Sequence, residues 1–383
     1  MPRILLNTTV INKGGALQTS SNFLAYILRQ PTEFEWELAL SPQVASAAES
    51  LGVAFSRSPR IFANSPARDS AARRDLRAFA DEVRPDAVFT FSGPAYVAFG
   101  QPHLLGCSEP WVTHAGLAAY RSLDFPREWF SFGLTTLYKM WWVRRANRWV
   151  MQTEASRQGL HRRLGIPLEK IDVISNSCGA VYYAHRDAAR PFPRSDRRLR
   201  IFCFSAPYKH KNLQVLPRIA AELKRIMPER SFEIVLTLPP DGPDWQNLQS
   251  AAAALNVADR LTNHGPIPVS QGPELFSQCD FLLLPTVLET FSATYPESMA
   301  MGLPIVTSDL DFARDICGPA ALYFPPRDAN AAVGQIVKLL RDEALWNSLV
   351  QAGKERLKNF PEPGERSEAY LDVLRKLLAE TRP

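Results

Sequence analysis

The sequence has few of the features that mark disulfide-bonded, zinc-binding or membrane-spanning chains. Its 383 residues include five cysteines, an odd number with no Cys-x-x-Cys pair, which argues against a disulfide framework and a zinc ribbon. No window holds the roughly 18–20 unbroken apolar residues that a membrane span requires. The short apolar run at the N-terminus is interrupted by polar residues, unlike a secretory signal. We therefore expect a reduced, cytoplasmic protein.

The excess of positive over negative charge is also small. The 44 Lys and Arg residues are interspersed among 39 Asp and Glu residues, so the formal net charge of +5 does not indicate a nucleic-acid partner. Glycine (19) is outnumbered by proline (31), which suggests many rigid loops. With 46% hydrophobic residues, the chain has the composition of a folded protein. Its length suits two domains of about 150–200 residues each.

Apolar runs alternate with helical patterns along the chain. In the first half the predicted strands are Arg3–Leu6, Glu37–Leu40, Ala87–Phe91, His103–Cys107, Trp149–Gln152 and Ile171–Ile174. In the second half they are Arg200–Phe204, Phe232–Leu236, Phe281–Leu284, Leu303–Thr307 and Ala321–Phe324. This alternation indicates βαβ units and parallel sheets. The expected fold class is α/β, with two Rossmann-like doubly wound domains.

The predicted domain boundary lies in a polar, proline-bearing stretch near residue 190, which suits a linker. It gives an N-terminal domain over residues 1–188 and a C-terminal domain over residues 189–364. A last amphipathic helix over residues 365–383 follows a Pro-Glu-Pro-Gly break. We expect this helix to complete the N-terminal domain.

The segment from Asp280 to Asp309 carries the strongest candidate site. A buried strand is expected to end at Pro285, a loop carries Glu289, and a helix that starts near Ser292 carries Glu297. Open α/β sheets bind ligands at the carboxyl ends of their strands, and the free amides of a helix start can bind phosphate. Carboxylates beside such a site can accept hydrogen bonds from sugar hydroxyls. Two glutamates on a solvated loop and helix are the alternative interpretation.

This segment resembles the retaining glycosyltransferases of family 4 (group 1), which have the GT-B fold. The resemblance lies in a strand followed by Pro-Thr, then Glu-Thr-Phe, a second glutamate eight residues after the first, and Met-Ala-Met-Gly-Leu-Pro-Ile-Val. The preceding His-Gly-Pro-Ile and Leu-Phe-Ser-Gln-Cys-Asp-Phe also fit. The resemblance implies two domains facing a central cleft, a nucleotide-sugar donor, and a C-terminal domain that binds this donor.

The resemblance also implies roles for single residues. Glu297 would accept hydrogen bonds from the ribose hydroxyls of the donor, and Glu289, a catalytic residue, would hold hydroxyls of the transferred sugar. The donor-binding backbone would comprise Thr290, Phe291, Ser292, Ala293 and Thr294, together with Gly265 and Ile267. The family usually has Glu-Gly-Phe-Gly-Leu-Pro here, so two flexible glycines are replaced by Thr290 and Ser292.

A basic cluster, Ser205-Ala-Pro-Tyr-Lys209-His-Lys211-Asn, follows a predicted strand. A lysine ammonium group suits a diphosphate leaving group. Members of the family usually carry an arginine five or six residues before the second lysine, where this sequence has Ser205 and Ala206. We expect Lys211 to be catalytic, Lys209 to share the missing charge, and Ser205 to lie at the donor. A solvated basic turn is the alternative.

Three further candidates lie in the N-terminal half. Gly14 and Gly15 follow the first strand, where glycine permits close approach of the backbone to acceptor or phosphate; a simple β-to-helix turn is equally compatible. His114 is the candidate catalytic histidine, although it follows the family's usual position by five or six residues, and an ordinary loop histidine is the alternative. His103, at the start of its strand, should face the opposite edge of the sheet.

Two patterns suggest other partners. Asp309-Leu-Asp311 could hold Mg²⁺. However, it follows Ile-Val-Thr after the donor helix, where metal-independent GT-B proteins have Ser-Asp. We therefore expect no metal and no other cofactor. Residues 137–149 mix Trp, Lys and Arg at near-helical spacing. They could lie against anionic lipid, but a core-facing aromatic stripe with solvated arginines is the interpretation that we favour.

The resemblance, together with these residues, implies a retaining glycosyltransferase of the hexosyltransferase type, which moves a sugar from a nucleoside-diphosphate sugar to an acceptor hydroxyl. By analogy, the acceptor would be a glycan or a lipid-linked glycan of bacterial lipopolysaccharide, capsule or exopolysaccharide synthesis. The protein would be cytoplasmic, with peripheral association at the inner face of the membrane left open. A nucleotide-sugar 2-epimerase of GT-B fold and an inactive sugar-nucleotide-binding protein are the alternatives.

Overall fold

The computed structural model describes residues 1–55, 57–185, 191–194 and 196–381. The chain divides into two compact units. Unit 1 contains Met1–His114, Phe130–Asn176 and the chain from Pro361 on, whereas unit 2 contains Ala115–Trp129 and Ser177–Phe360. The boundary predicted at residues 188 and 189 lies outside the described residues. Among those described, the chain passes from unit 1 to unit 2 after His114 and again after Asn176.

Unit 1 is built on a parallel sheet with the order β3-β2-β1-β4-β5-β6-β7. Its strands are β1 (Arg3–Asn7), β2 (Glu35–Leu40), β3 (Arg60–Ile61), β4 (Ala87–Thr90), β5 (His103–Gly106), β6 (Arg148–Met151) and β7 (Ile171–Val173). The inner strands are almost continuously apolar because helices cover both faces of the sheet. Leu5 of β1 lies opposite both Glu37 and Val88.

Unit 2 is built on a second parallel sheet with the order β10-β9-β8-β11-β12-β13. Its strands are β8 (Leu199–Phe202), β9 (Phe232–Leu236), β10 (Leu261–Asn263), β11 (Phe281–Leu284), β12 (Ile305–Ser308) and β13 (Ala321–Phe324). In both sheets the order reverses next to the first strand, as in doubly wound folds. The predicted α/β class with two doubly wound sheets is confirmed.

The helices surround these sheets. The first seven in chain order are α1 (Gly14–Arg29), α2 (Pro42–Ser50), α3 (Ser70–Val83), α4 (Pro110–Thr113), α5 (Leu117–Tyr120), α6 (Arg127–Val143) and α7 (Glu154–Leu164). They belong to unit 1, except α5 and the first three residues of α6, which belong to unit 2. The other helices of unit 2 are α8 (Ala180–Tyr183), α9 (Leu216–Ile226), α10 (Pro243–Ala254), α11 (Gly272–Ser277), α12 (Thr294–Ala300), α13 (Asp311–Cys317), α14 (Ala329–Arg341) and α15 (Glu343–Leu357). The last helix is α16 (Pro363–Thr381). Within the described residues, none has the combination of length and hydropathy that crossing a bilayer requires.

The last helix, α16, packs on unit 1. The ring of Tyr370 lies 5.4 Å from that of Phe89 and 5.7 Å from that of Phe23. The fully buried Arg148 of β6 donates to Glu380 of α16 at 2.8 Å and to Asp172 of β7 at 2.5 Å. Because a buried guanidinium needs paired acceptors, these bonds fix the end of α16 against the sheet.

The aromatic stretch over residues 137–149 is only partly in the core. Val143 and Trp149 are buried. Leu137, Tyr138 and Trp141 are exposed, so the expectation of a core-facing stripe is wrong for these three.

Candidate functional site

The sheet of unit 2 reverses its order between β8 and β11, which are hydrogen-bonded neighbours with Phe281 opposite Ile201. Ligands of doubly wound sheets bind in the crevice outside the carboxyl ends of the strands at such a switch point. The chain leaves β8 through residues 203–212 and β11 through residues 285–293. The basic cluster and Glu289 therefore meet at one edge of the sheet.

Hydrogen bonds hold these two loops together. The carbonyl oxygen of His210 accepts from the amide of Val287 at 2.8 Å and from the hydroxyl of Thr286 at 3.2 Å. The buried side chain of Asn212 donates to the carbonyl of Pro285 at 3.1 Å. Asn212 has a left-handed backbone with φ of 54°, which asparagine tolerates better than most residues. This turn places the preceding residue, Lys211, against the β11 loop.

Lys211 and Glu289 form an ion pair at the switch point. Their side chains are 14% and 13% exposed. Burial lowers the pKa of Lys211 to about 8, since removal from water penalises the charged amine. The pair thus offers a desolvated cation, suited to an anionic leaving group, beside a carboxylate that can accept from hydroxyls. The structure brings these two predicted catalytic residues together.

Lys209 has different partners. Its ammonium group pairs with Asp124 at 2.8 Å and with Glu128 at 2.7 Å, both from the 115–129 segment of unit 2. Hydrogen bonds to these carboxylates raise the pKa of Lys209. The hydroxyl of Ser205 donates to the carbonyl of Ala206 at 3.3 Å. A role for Lys209 and Ser205 at the donor stays a prediction, and Asp124 and Glu128 are neighbours that the sequence did not signal.

Glu297 lies on α12 and is 9% exposed. Burial raises the pKa of its carboxyl group to about 7. Among the described residues, none donates a hydrogen bond to this carboxyl group. The start of the 177–360 segment of unit 2 lies near this carboxyl group: a Cβ atom on Gly179 would lie 3.6 Å from Glu297 Oε1. Burial and the nearby Glu297 raise the pKa of Cys178 and of Tyr182.

The loop between β11 and α12 is mostly buried. Thr290, Ser292 and Thr294 are each less than 9% exposed, and the Phe291 ring packs edge-on against Phe360 at 5.9 Å. Ala293 precedes the first residue of α12, so the helix begins two residues later than predicted. Neither Thr290 nor Ser292 has a positive φ. This backbone therefore does not need the two glycines that the sequence lacks.

Gly265 and Ile267 follow β10, at the edge of the same sheet. Gly265 has a φ of +76°, a conformation that glycine adopts without strain, and its amide donates to Asn263 Oδ1 at 3.2 Å. Ile267 is partly buried against the core that includes Phe276 and Tyr295. Their contact with a donor stays a prediction.

The remaining candidates belong to unit 1. Gly14 begins α1 with a φ of +70°, and a Cβ atom on Gly14 or Gly15 would meet open space. His114 follows α4, and its Nδ1 lies 2.7 Å from the hydroxyl of Thr113. His103 is buried with Nε2 2.8 Å from Thr90 Oγ1, and burial lowers its pKa to about 3, so this imidazole is neutral. The catalytic role of His114 and the ligand contact of Gly14 and Gly15 stay predictions.

Of the two aspartates after β12, Asp309 forms an ion pair with Arg314. The carboxylate of Asp309 accepts from Arg314 Nε at 2.5 Å and from Arg314 Nη2 at 2.8 Å. In the part of the chain that the structure describes, no group of three His, Cys, Asp or Glu side chains is arranged to hold a metal ion.

Two family models match the chain. Residues 35–178 match the model described as Glycosyltransferase Family 4, and residues 186–356 match the model described as Glycosyl transferases group 1. The 2-deoxystreptamine glucosyltransferase of Streptomyces kanamyceticus is 26% identical over 239 residues, which are 58% of this chain and 59% of that protein. The chain thus spans less than two thirds of this curated relative.

Solved structures of similar fold cover nearly the whole chain. HepE of Anabaena in complex with UDP and glucose aligns with a TM-score of 0.69 and 14% identity, over 98% of this chain and 99% of that one. The lipopolysaccharide outer core galactosyltransferase WaaB, in its apo form, aligns with a TM-score of 0.67 and 14% identity, over 98% and 100%. At 14% identity, this structural similarity shows the fold alone.

Proposed function

The chain belongs to the group 1 and family 4 glycosyltransferases and has their GT-B fold, and on that premise we propose that it transfers a hexose from a nucleoside-diphosphate sugar to an acceptor hydroxyl with retention. The observation that carries this proposal is the buried pair of Lys211 and Glu289 at the switch point of the unit 2 sheet. A desolvated cation and a carboxylate match a diphosphate and a sugar, the two parts of such a donor.

The donor residues have separate tasks in this proposal. Lys211 faces the diphosphate, where its charge is most effective once the donor excludes water. Glu289 accepts from hydroxyls of the transferred sugar. Glu297 accepts from the ribose hydroxyls, a role supported by its buried carboxyl group without a hydrogen-bond donor among the described residues. UDP and glucose bound in the HepE structure support a donor of this class.

The proposed chemical step is a substitution on one face of the sugar. The bond from the anomeric carbon to the diphosphate oxygen breaks, and the acceptor oxygen forms a bond to the same carbon. The acceptor proton passes to the departing phosphate oxygen. Lys211 stabilises the negative charge that develops on this leaving group, so the chain itself supplies the cation, and we propose that no metal or other cofactor is needed.

We further propose that the acceptor is a glycan or lipid-linked glycan of bacterial surface polysaccharide synthesis. This part rests on analogy with relatives such as the lipopolysaccharide galactosyltransferase, since shared fold does not determine the acceptor. Arrays of truncated surface glycans, tested with the cognate donor, would identify the acceptor class.

The first experiment is a thermal-shift panel of UDP-, GDP- and dTDP-sugars. Only the cognate donor should raise the melting temperature strongly, because only a ligand that binds the folded state stabilises it. Transfer is then measured with an acceptor, with and without EDTA, and the anomeric configuration of the product is read by NMR. Isomerised donor formed without an acceptor would favour the epimerase, and binding without turnover would favour an inactive protein. An inverted product would contradict retention.

A further inference from the structure

Helix α6 carries an exposed apolar stripe within unit 1. Phe130, Leu134, Leu137 and Trp141 are 70%, 53%, 62% and 49% exposed. Because an α-helix turns about 100° per residue, these four side chains lie within about 60° of one another on one face. Only Thr136 and Val143 of α6 are buried. The stripe is therefore a surface feature, whereas helices that pack on a core turn their apolar face inward.

Positive charge borders one end of this stripe. Glu128, in the first turn of α6, is paired with Lys209 at 2.7 Å, and residues 129–153 contain no Asp or Glu. The guanidinium of Arg145 lies 4.0 Å from the centre of the Trp141 ring, and both Arg144 and Arg145 are exposed. Lys139 is paired with Glu109 at 2.7 Å, so its charge is compensated. The surface thus combines large apolar side chains with two adjacent arginines.

We propose that α6 is an interfacial helix by which this chain binds the surface of an anionic bilayer. Interfacial helices place Trp, Phe and Leu about 5–10 Å deep at the boundary of headgroups and acyl chains. Their arginines remain at the level of the headgroups, where they attract anionic lipid. The stripe and the adjacent arginines of α6 supply both parts of this interaction.

Charge favours a bilayer over a second copy of the chain. A two-fold dimer through this face would use the same patch on both copies. It would therefore place Arg144 and Arg145 of both copies at one interface, and residues 129–153 offer no carboxylate to pair with them. Anionic headgroups supply the missing negative charge. The proposal does not depend on the transfer reaction, because it concerns unit 1 and can be tested without substrate.

The test is sedimentation of the full chain with vesicles of phosphatidylcholine, with or without about 30% phosphatidylglycerol, at low and high salt. We expect binding to the anionic vesicles that weakens as salt increases. Leu134→Asp with Leu137→Asp should reduce binding by about tenfold or more. Arg144→Ala with Arg145→Ala should reduce it by about fivefold for each arginine and weaken the salt dependence. Leu255→Asp, at a residue of unit 2 that is 42% exposed, is the matched control and should bind like the wild type.

Three outcomes would overturn the proposal. The first is no binding to anionic vesicles, and the second is unchanged binding of the Leu134→Asp, Leu137→Asp variant. The third is a wild-type dimer in sedimentation velocity that this variant dissociates, which would identify the stripe as a surface between copies. If the aspartates lower the melting temperature, Leu134→Ser with Leu137→Ser removes the apolar contacts without adding charge, and the same outcomes apply.

Discussion

The two units share a strand order but differ in the residues at the point where that order reverses. In unit 1 the side chains at the ends of β1 and β4 are neutral: Asn7 donates to Thr90 Oγ1 at 3.1 Å, and the hydroxyl of Thr9 donates to Asn7 Oδ1 at 2.8 Å. The loop after β1 also carries a lysine, Lys13, but this residue is exposed, whereas in unit 2 the loops after β8 and β11 hold the largely buried ion pair of Lys211 and Glu289. Topology determines where a ligand can bind, and side chains determine which chemistry follows. This difference is why we assign the leaving group to unit 2.

The largest effect is expected for Lys211→Met. Loss of the cation that faces the leaving group should lower the kcat/KM of transfer by about 10²–10³-fold. Lys224→Met is the matched control, because Lys224 is half-buried on α9, outside the two loops of the site, and donates to the carbonyl of Asn256 at 2.8 Å. Initial rates are measured with the cognate donor.

Lys211→Met leaves the buried Glu289 without its partner, which can itself destabilise the fold. Melting temperatures are therefore recorded for Lys211→Met and for Lys211→Met combined with Glu289→Gln. Full activity in a folded Lys211→Met variant would show that this lysine does not stabilise the leaving group.

The next effect is a gain in stability for Glu297→Gln. Burial raises the pKa of Glu297 from 4.5 to about 7, so between these values the folded state binds more protons than the unfolded state and stability falls as pH rises. Glutamine removes this penalty. At pH 8 the free energy of unfolding should increase by up to about 3 kcal/mol, and at pH 4 the gain should vanish.

Urea unfolding at the two pH values measures this difference. Glu229→Gln, at an exposed residue, should change little at either pH. A Glu297→Gln variant that is less stable than the wild type at pH 8 would mean that the carboxylate has a donor in the folded protein. The same variant should also bind the donor more weakly if Glu297 accepts from ribose hydroxyls.

In unit 1, Asn7→Ala should lower stability without removing donor binding. The substitution takes hydrogen-bond partners from the buried Thr9 and Thr90, which should reduce the free energy of unfolding by about 1–3 kcal/mol. The rise in melting temperature caused by the cognate donor should remain. Loss of this rise in a folded variant would place donor binding in unit 1 as well.

The smallest effect concerns pH. Because burial lowers the pKa of Lys211 to about 8, its amine is protonated below that pH, and kcat/KM should fall by about half at pH 8 and further above it. A bound diphosphate favours the protonated amine, so the kcat profile should decline at higher pH. Lys211→Arg keeps its charge and should move the decline in kcat/KM upward. An unchanged alkaline limb in this variant would assign the titration to another group.

Long apolar strands were predictable from the sequence. Phe232–Leu236 and Phe281–Leu284 have the predicted bounds, because consecutive buried residues and flanking polar segments define them. The strands Arg60–Ile61 and Leu261–Asn263 were missed, since two or three residues carry no periodicity. Residues 115–129 belong to unit 2 although the flanking residues belong to unit 1. This assignment depends on long-range packing, which a local sequence pattern does not reveal.

The candidate site was predictable in part. Motifs after two strands identified Lys211 and Glu289, but the ion pair joins residues 78 positions apart and follows from the pairing of β8 with β11. The partners of Lys209 were missed for the same reason. The aromatic residues of α6 were assigned to the core because side-chain type alone does not distinguish an inward face from an outward one.

The central claim is tested most directly by the donor affinity of variants altered at each of the two switch points. The cognate nucleotide sugar is titrated calorimetrically into the wild type, Lys211→Met and Asn7→Ala at pH 7. If the diphosphate binds at the β8 and β11 ends, Lys211→Met should weaken the affinity by about tenfold or more, and Asn7→Ala should stay within about twofold of the wild type. Wild-type affinity in Lys211→Met, with a loss in Asn7→Ala, would contradict the assignment of the donor to unit 2.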